Sequence, residues 1–372
     1  MFENTKALCE SFLQMGIPFF DLLVFRDGKE IFRHNGGYVD IENKIGVKGD
    51  ELLNIYSCSK PITVTAAMQL WEKGLFQLED KLSKYLPEFE NMTVLTDGQI
   101  LPAKNPILVR HLFTMTAGFS YDLHSPQLEQ LRLDTDGRCP TREFARYLAR
   151  EPLCFEPGTQ YRYSLCHDVL AALVEVLSGE KFQDYTRRHI FEPLGMSRTD
   201  FLKDPATYDE IATHYVFKDG KPQLRSKWPA YRIGTEHASG GAGCVSTVED
   251  YMKFLEALRT FRLLKKETID LITQDWLNEE ERKTYPLTNY YYGLGMRSRK
   301  PGTAHSDFGW GGAAGATLHI DIPHGISIFY VQHLLTSPNH AIRVRVYTAV
   351  LQDLGFDVEV DIPTPEQNKL TY

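Results

Sequence analysis

The chain has 372 residues, 42% hydrophobic and 24% charged, with a formal net charge of −8, which suits one large globular domain or two coupled ones. The acidic balance argues against nucleic acid or an anionic membrane as partner, since both ask for a basic face, and no apolar run approaches the ~20 residues of a membrane span. Six scattered cysteines with no C-x-x-C pair, behind an acidic, amphipathic N-terminus without the basic start and apolar run of a secretion signal, point to buried or idle thiols in a cytoplasmic protein.

Residues 4–15 read as a short helix, followed by PFFDLLVFRDGKEIFRHNGGYVD (18–40), two strands joined at Asp27-Gly28, a hairpin turn pair. SCSKPITVTAAMQLWEK (57–73) reads as a buried helix with an apolar body, Ser57 or a neighbour at its cap, and Gly74 at its end. The clearest helices thereafter are Pro106–Met115, Pro140–Arg150, Asp168–Leu177 and Ser246–Arg259, the last with Glu249 three residues after Ser246 as a capping box. Strand patterns return at 290–298, 316–322 and 325–333. A final helix runs from about His340 to Leu354 with Gly355 closing it, and the tail after Asp361 reads as an irregular surface segment. The predicted fold class is therefore α+β: an antiparallel sheet formed from both chain ends with flanking helices (1–75 and 260–372), plus an inserted, mostly helical domain (76–259).

Three motifs carry chemistry. In Ser57-Cys58-Ser59-Lys60, residues three apart on a helix share a face, so an amine stands beside a hydroxyl at a helix start rich in free N–H groups. That suits an activated nucleophile and an oxyanion. By chance S-x-x-K should occur about once in a chain of this size, and Ser178-Gly179-Glu180-Lys181 is such a copy; it follows a helix end and contains glycine, so it reads as a turn. Lys60 is different, because a lysine in a buried helix is costly unless paired or neutral. Tyr161-Arg162-Tyr163-Ser164, after the Pro157-Gly158 turn, offers a loop phenol that can move a proton. Phe308-Gly309-Trp310-Gly311-Gly312-Ala313-Ala314-Gly315 offers small residues that let a substrate approach free backbone N–H groups. No G-x-S-x-G elbow, H-E-x-x-H pair or phosphate loop is present, and the 12 histidines show no ligand spacing.

The run SCSKPITVTAAMQLWEKGLFQLEDKLSKYLPEF resembles the nucleophile region of the serine β-lactamase and penicillin-binding-protein superfamily. VRHLFTMTAGFSYD, EPGTQYRYS, GGAGCVSTVEDYMKF and FGWGGAAG resemble its later blocks in the same order, over roughly residues 15 to 350. Among its branches, the class C β-lactamases and the family VIII carboxylesterases are the most similar. The resemblance implies an antiparallel sheet with flanking helices plus a helical domain, the site in the cleft between them, and no metal or organic cofactor. It also implies that Ser57 is acylated, that Lys60 and Tyr163 relay its proton, and that the N–H groups of Ser57 and Ala313 hold the oxyanion.

Three departures bear on substrate. The usual Tyr-x-Asn is Tyr163-Ser164-Leu165, which lacks the amide that grips a penicillin-like side chain. The usual Lys-Thr-Gly is Trp310-Gly311-Gly312, without the cation for a β-lactam carboxylate, and a Thr-His-Thr-Ser-Gly block reads Thr114-Met115-Thr116-Ala117-Gly118. The first two favour small neutral esters. Trp310, Phe119, Tyr121, Trp228 and Tyr231 are candidates for an apolar substrate pocket. The expected activity is a serine esterase; an amidase or β-lactamase, an acyltransferase to an alcohol or amine, and a non-catalytic binding protein with the same fold are the alternatives. The expected partner is a small-molecule ester or amide. Whether Lys60 or Tyr163 is the main base, and the oligomeric state, stay open at this level.

Overall fold

A computed structural model describes residues 1–201, 205–226, 232–300 and 305–359. The strands of its large sheet are β1 (Phe19–Arg26), β2 (Lys29–Asp40), β3 (Ile45–Gly46), β4 (Tyr290–Tyr292), β5 (Arg297–Arg299), β6 (Phe308–Gly309), β7 (Thr317–Asp321) and β8 (Ile326–Val331). The helices that position the site or cover the sheet are α1 (Glu3–Gln14), α2 (Ser59–Glu72), α3 (Cys166–Ser178), α4 (Val248–Arg259) and α5 (Arg345–Asp353).

The two chain ends meet in the middle of the sheet. Its order is β4-β5-β6-β7-β8-β1-β2-β3, and β1 pairs antiparallel with β8 from Asp21↔Val331 to Arg26↔Ile326. Side chains alternate across a strand. On one face Phe20, Leu22 and Val24 pack with Phe12 of α1 and Tyr347 and Val350 of α5. On the other, Phe19 and Leu23 join the larger core with Tyr251, Phe254 and Leu255 of α4. Covered on both faces, β1 reads as an apolar run from Phe19 to Phe25 interrupted only by Asp21, which pairs with Arg33, instead of an alternating one. The α+β class with an antiparallel sheet from both ends is what the structure has. The β1–β2 turn is also the predicted one, with Asp27 and Gly28 at φ of 50° and 80°, both on the positive side that a two-residue hairpin turn of this kind requires.

Several predicted elements shift for identifiable reasons. Residues 290–298 form the hairpin β4–β5, not one strand: Gly295 lies at φ +80°, and a Cβ there would sit 2.5 Å from Val64. Helix α4 begins at Val248 with Thr247 as its cap, accepting from the Asp250 N–H at 3.2 Å. Ser246, the predicted cap, instead pairs in a short strand and bonds the Thr199 hydroxyl at 2.7 Å. Thr247→Ala is therefore expected to cost about 1 kcal/mol in urea denaturation. Helix α5 starts five residues later than predicted, after a knot in which Gln332 and Asn339 exchange side-chain hydrogen bonds. The helices predicted at 106–115 and 140–150 shorten to Val109–Thr114 and Thr141–Leu148, while α3 gains a residue or two at each end.

The span 76–259 is less purely helical than predicted, since it holds the hairpins Thr93–Thr96/Gln99–Pro102 and His214–Lys218/Lys221–Arg225. Helix α4, expected with the helical insert, packs on β8 and β1. The six cysteines are free thiols, all buried except the half-buried Cys154. Among the described residues no helix is long and apolar enough to cross a membrane. The predicted irregular tail after Asp361 lies outside the described residues.

Candidate active site

Helix α2 is apolar on all sides, as a helix wrapped by the core must be, and all its residues from Ser59 to Met68 are buried. A single 3-10 turn, Tyr56–Cys58, sits on its N-terminus. Ser57 therefore lies one turn before the α-helix proper, and no side chain caps the start of α2. Tyr56 has φ of +48°, unusual for a bulky residue and a conformation that packing must impose. Its ring is fully buried, its hydroxyl is 3.2 Å from His214 Nε2, and its carbonyl accepts the Ser59 hydroxyl at 2.6 Å. The turn that carries the nucleophile candidate is thus held from three sides.

Lys60 lies over the Ser57 side of that turn. Its Nζ is 3.4 Å from Ser57 Oγ and donates to the Gly241 carbonyl at 2.8 Å. It is fully buried, and burial lowers its ordinary value of 10.5 to about 7 despite the opposing charge of Asp168. Buried ammonium loses its hydration, so the neutral amine is favoured.

Tyr163 reaches the same hydroxyl from the loop before α3. The Arg162 N–H donates to the Met115 carbonyl and the Leu165 N–H to the Ser120 carbonyl, which fixes the loop. The Tyr163 hydroxyl donates to Ser57 Oγ at 2.6 Å. Its ring stacks with Tyr121 (5.5 Å between centroids, 9° between planes) and with Trp310 (5.9 Å, 20°), with Lys60 Nζ 4.4 Å from its centroid. Burial pushes the phenol above its ordinary range, so it stays protonated at neutral pH.

The glycine-rich segment abuts the nucleophile turn. The Gly312 N–H donates to the Ala316 carbonyl at 2.8 Å, and a Cβ on Gly312 would stand 2.4 Å from the Ile55 carbonyl oxygen, so only glycine permits this approach. Ala313 and Ala314 pack against Tyr56. Neither Ser57 N–H nor Ala313 N–H donates to a backbone acceptor among the described residues. The Trp310 indole N–H is buried beside Tyr163.

The sequence-derived candidates divide into three groups. Ser57, Lys60, Tyr163, Tyr121 and Trp310 converge, with Gly311, Gly312 and Ala313 alongside. Phe119 and Leu165 are buried core residues, Phe119 edge-on to Phe89 at 5.7 Å. They are apolar residues next to an active loop whose side chains the core claims. Tyr231 and Trp228 lie outside the described residues. Sequence reasoning missed Gly241 and Asp168. Gly240-Gly241 entered only as the start of the GGAGCVSTVEDYMKF block, with no role of its own, and Asp168 only as a helix start. Among the described residues no three His, Cys, Asp or Glu side chains converge as a metal site.

The chain matches the family model described as Beta-lactamase over residues 9–352, and it belongs to that family. It is 28% identical over 362 residues to Esterase EstB of Burkholderia gladioli, covering 89% of this chain and 88% of that one. It is 31% identical over 271 residues to Acyltransferase calJ of Penicillium decumbens, covering 67% and 63%. Among solved structures it superposes on EstCE1, described as a hydrolase with promiscuous acyltransferase activity, with a TM-score of 0.77 at 26% identity, covering 94% and 97% of the two chains.

Proposed function

We propose that this protein is a serine hydrolase that forms an acyl-enzyme on Ser57 and acts as an esterase on small neutral esters. The observation that carries the reading is one hydroxyl within 2.6 Å of a phenol and 3.4 Å of a buried amine. Lys60, with its affinity for protons lowered to about 7, is the base. It takes the Ser57 proton as Oγ attacks the ester carbonyl, and the N–H groups of Ser57 and Ala313 hold the resulting oxyanion. Tyr163, kept as a neutral phenol, passes a proton to the departing alkoxide and regains one from Lys60. Water then attacks the acyl-enzyme by the same route in reverse and releases the acid. Trp310 in place of a cation, and Leu165 in place of an amide, support esters over β-lactams. No cofactor is called for.

The likeness to EstCE1 and to calJ favours a second reading, in which an alcohol or amine replaces water in the second step. Adding acceptor alcohols and analysing products separates the two: free acid as the main product supports hydrolysis.

A fluorophosphonate probe is expected to label Ser57, and a nitrophenyl ester to turn over faster than a chromogenic cephalosporin. A label mapped to another residue, or preference for the cephalosporin, overturns the reading. The pH profile adds a check. Lys60 works only when deprotonated, so kcat/KM should fall as pH drops through about 7.

A further inference from the structure

Near Lys60 lies a buried carboxylate that the mechanism leaves unused. Asp168, in the first turn of α3, is 1% exposed. Its Oδ1 accepts the Ser239 hydroxyl at 2.6 Å and lies 3.4 Å from His237 Nε2, while Oδ2 has no hydrogen-bond partner. That oxygen is aimed at Gly241. A Cβ on Gly241 would stand 2.7 Å from Asp168 Oδ2 and 3.5 Å from Lys60 Nζ. Carboxylate and amine thus face the same point, and their separation cannot exceed the sum of those two distances. The Gly241 carbonyl bonds the amine directly. Next to it, a Cβ on Gly240 would lie 2.3 Å from the His167 carbonyl oxygen, so this backbone is pressed against α3 and has no room to slide.

The other groups around Lys60 are uncharged at neutral pH. From its own turn come Ser57 and Cys58; from α3 come Cys166 and His167; from the loops come the Tyr163 and Tyr121 rings. Burial pushes the Cys58 and Cys166 thiols up to about 12 and His167 down to about 3. Burial alone would raise Asp168 as well. His237, Ser239 and Lys60 outweigh it and hold the carboxyl below its ordinary range.

We propose that Asp168 is a positioning residue for Lys60: anchored by Ser239 and His237, it braces the Gly241 carbonyl against the amine and supplies the negative charge that keeps a buried lysine able to accept the Ser57 proton. A facing charge at this range favours the protonated amine, so without it Lys60 becomes too weak a base. This rests on the acyl-enzyme reading above.

The test follows the rate at which a fluorophosphonate labels Ser57 in the full chain from pH 4 to 9. In Asp168→Asn the acid limb is expected to move down by about one pH unit, with a several-fold lower plateau. A limb that stays at its wild-type position, whatever happens to the plateau, overturns the proposal, because a merely structural residue would lower the plateau alone. Ser239→Ala keeps the charge while loosening its anchor, and carries the test if the Asn variant does not fold. Its limb should shift downward by less than in the Asn variant, and a limb at the wild-type position with only the plateau lowered overturns the proposal. Wild type that is not labelled at Ser57 sinks the acyl-enzyme reading itself. Wild type that is labelled, beside an Asn variant with an unmoved limb, sinks only the role of Asp168.

Discussion

Ser57→Ala is expected to lower kcat/KM for a nitrophenyl ester by about 10⁴-fold or more, and to abolish any acyl-enzyme mass increment. Removing a nucleophile costs this much because binding and oxyanion contacts survive but no covalent step can start. The size of the loss depends on no neighbouring hydroxyl taking over, and the structure indicates why none should. Ser59, two residues on, is spent on the fold: its hydroxyl donates to the Tyr56 carbonyl at 2.6 Å and accepts the Cys244 N–H at 3.0 Å. Ser178 heads the second S-x-x-K copy, but its hydroxyl donates to the Val174 carbonyl at the end of α3, and Gly179 turns the chain away at φ +73°. Ser164 lies beside the site, yet it is buried against the Cys166 thiol at 3.2 Å. Hydrolysis in Ser57→Ala at more than a few per cent of wild type would show that another group performs the attack.

The parts of this arrangement that depend on short-range pattern were legible in the sequence. Ser57 and Lys60 are one helical turn apart, and an amine inside an apolar helix is conspicuous before any fold is known. The β1–β2 hairpin announced itself through Asp27-Gly28. What sequence could not show is set by contacts between distant segments. That Gly312 must be glycine follows from its approach to the Ile55 carbonyl, more than 250 positions earlier in the chain. Asp168 looks like an ordinary acidic residue at a helix start; only the fold turns its carboxylate toward Lys60. Phe119 and Leu165 illustrate the converse, since an apolar residue near a motif serves core or pocket equally well in sequence, and in the fold both are buried in the core.

Lys60→Met should separate what this lysine does for chemistry from what it does to the fold. Activity is expected to fall by about 10²–10⁴-fold, the usual contribution of a general base. Stability is expected to move the other way. The amine has an ordinary value of 10.5 and a folded value of about 7. Above 10.5 it is neutral whether the chain is folded or not, and it costs nothing. As pH falls from 10.5 to 7 the unfolded chain gains a proton that the folded one refuses, and below 7 the cost is complete. At about 1.4 kcal/mol per pH unit the full cost is about 5 kcal/mol. Methionine, similar in length and apolar, removes it. Against this stand the Gly241 carbonyl, left without its donor, at about 1–3 kcal/mol for a stranded buried acceptor, and the Asp168 carboxylate, which loses a facing amine but no hydrogen bond. His237 and Ser239 still hold Asp168, so the lower end of that range applies to it, and the balance favours methionine by about 1–3 kcal/mol at pH 7. Urea denaturation of both proteins at pH 7 and pH 10 tests the sign. The variant should be the more stable at pH 7, with its advantage shrinking toward pH 10. A variant that is less stable at pH 7, or a gap that does not change with pH, would mean that Lys60 is charged in the folded protein and is not the base.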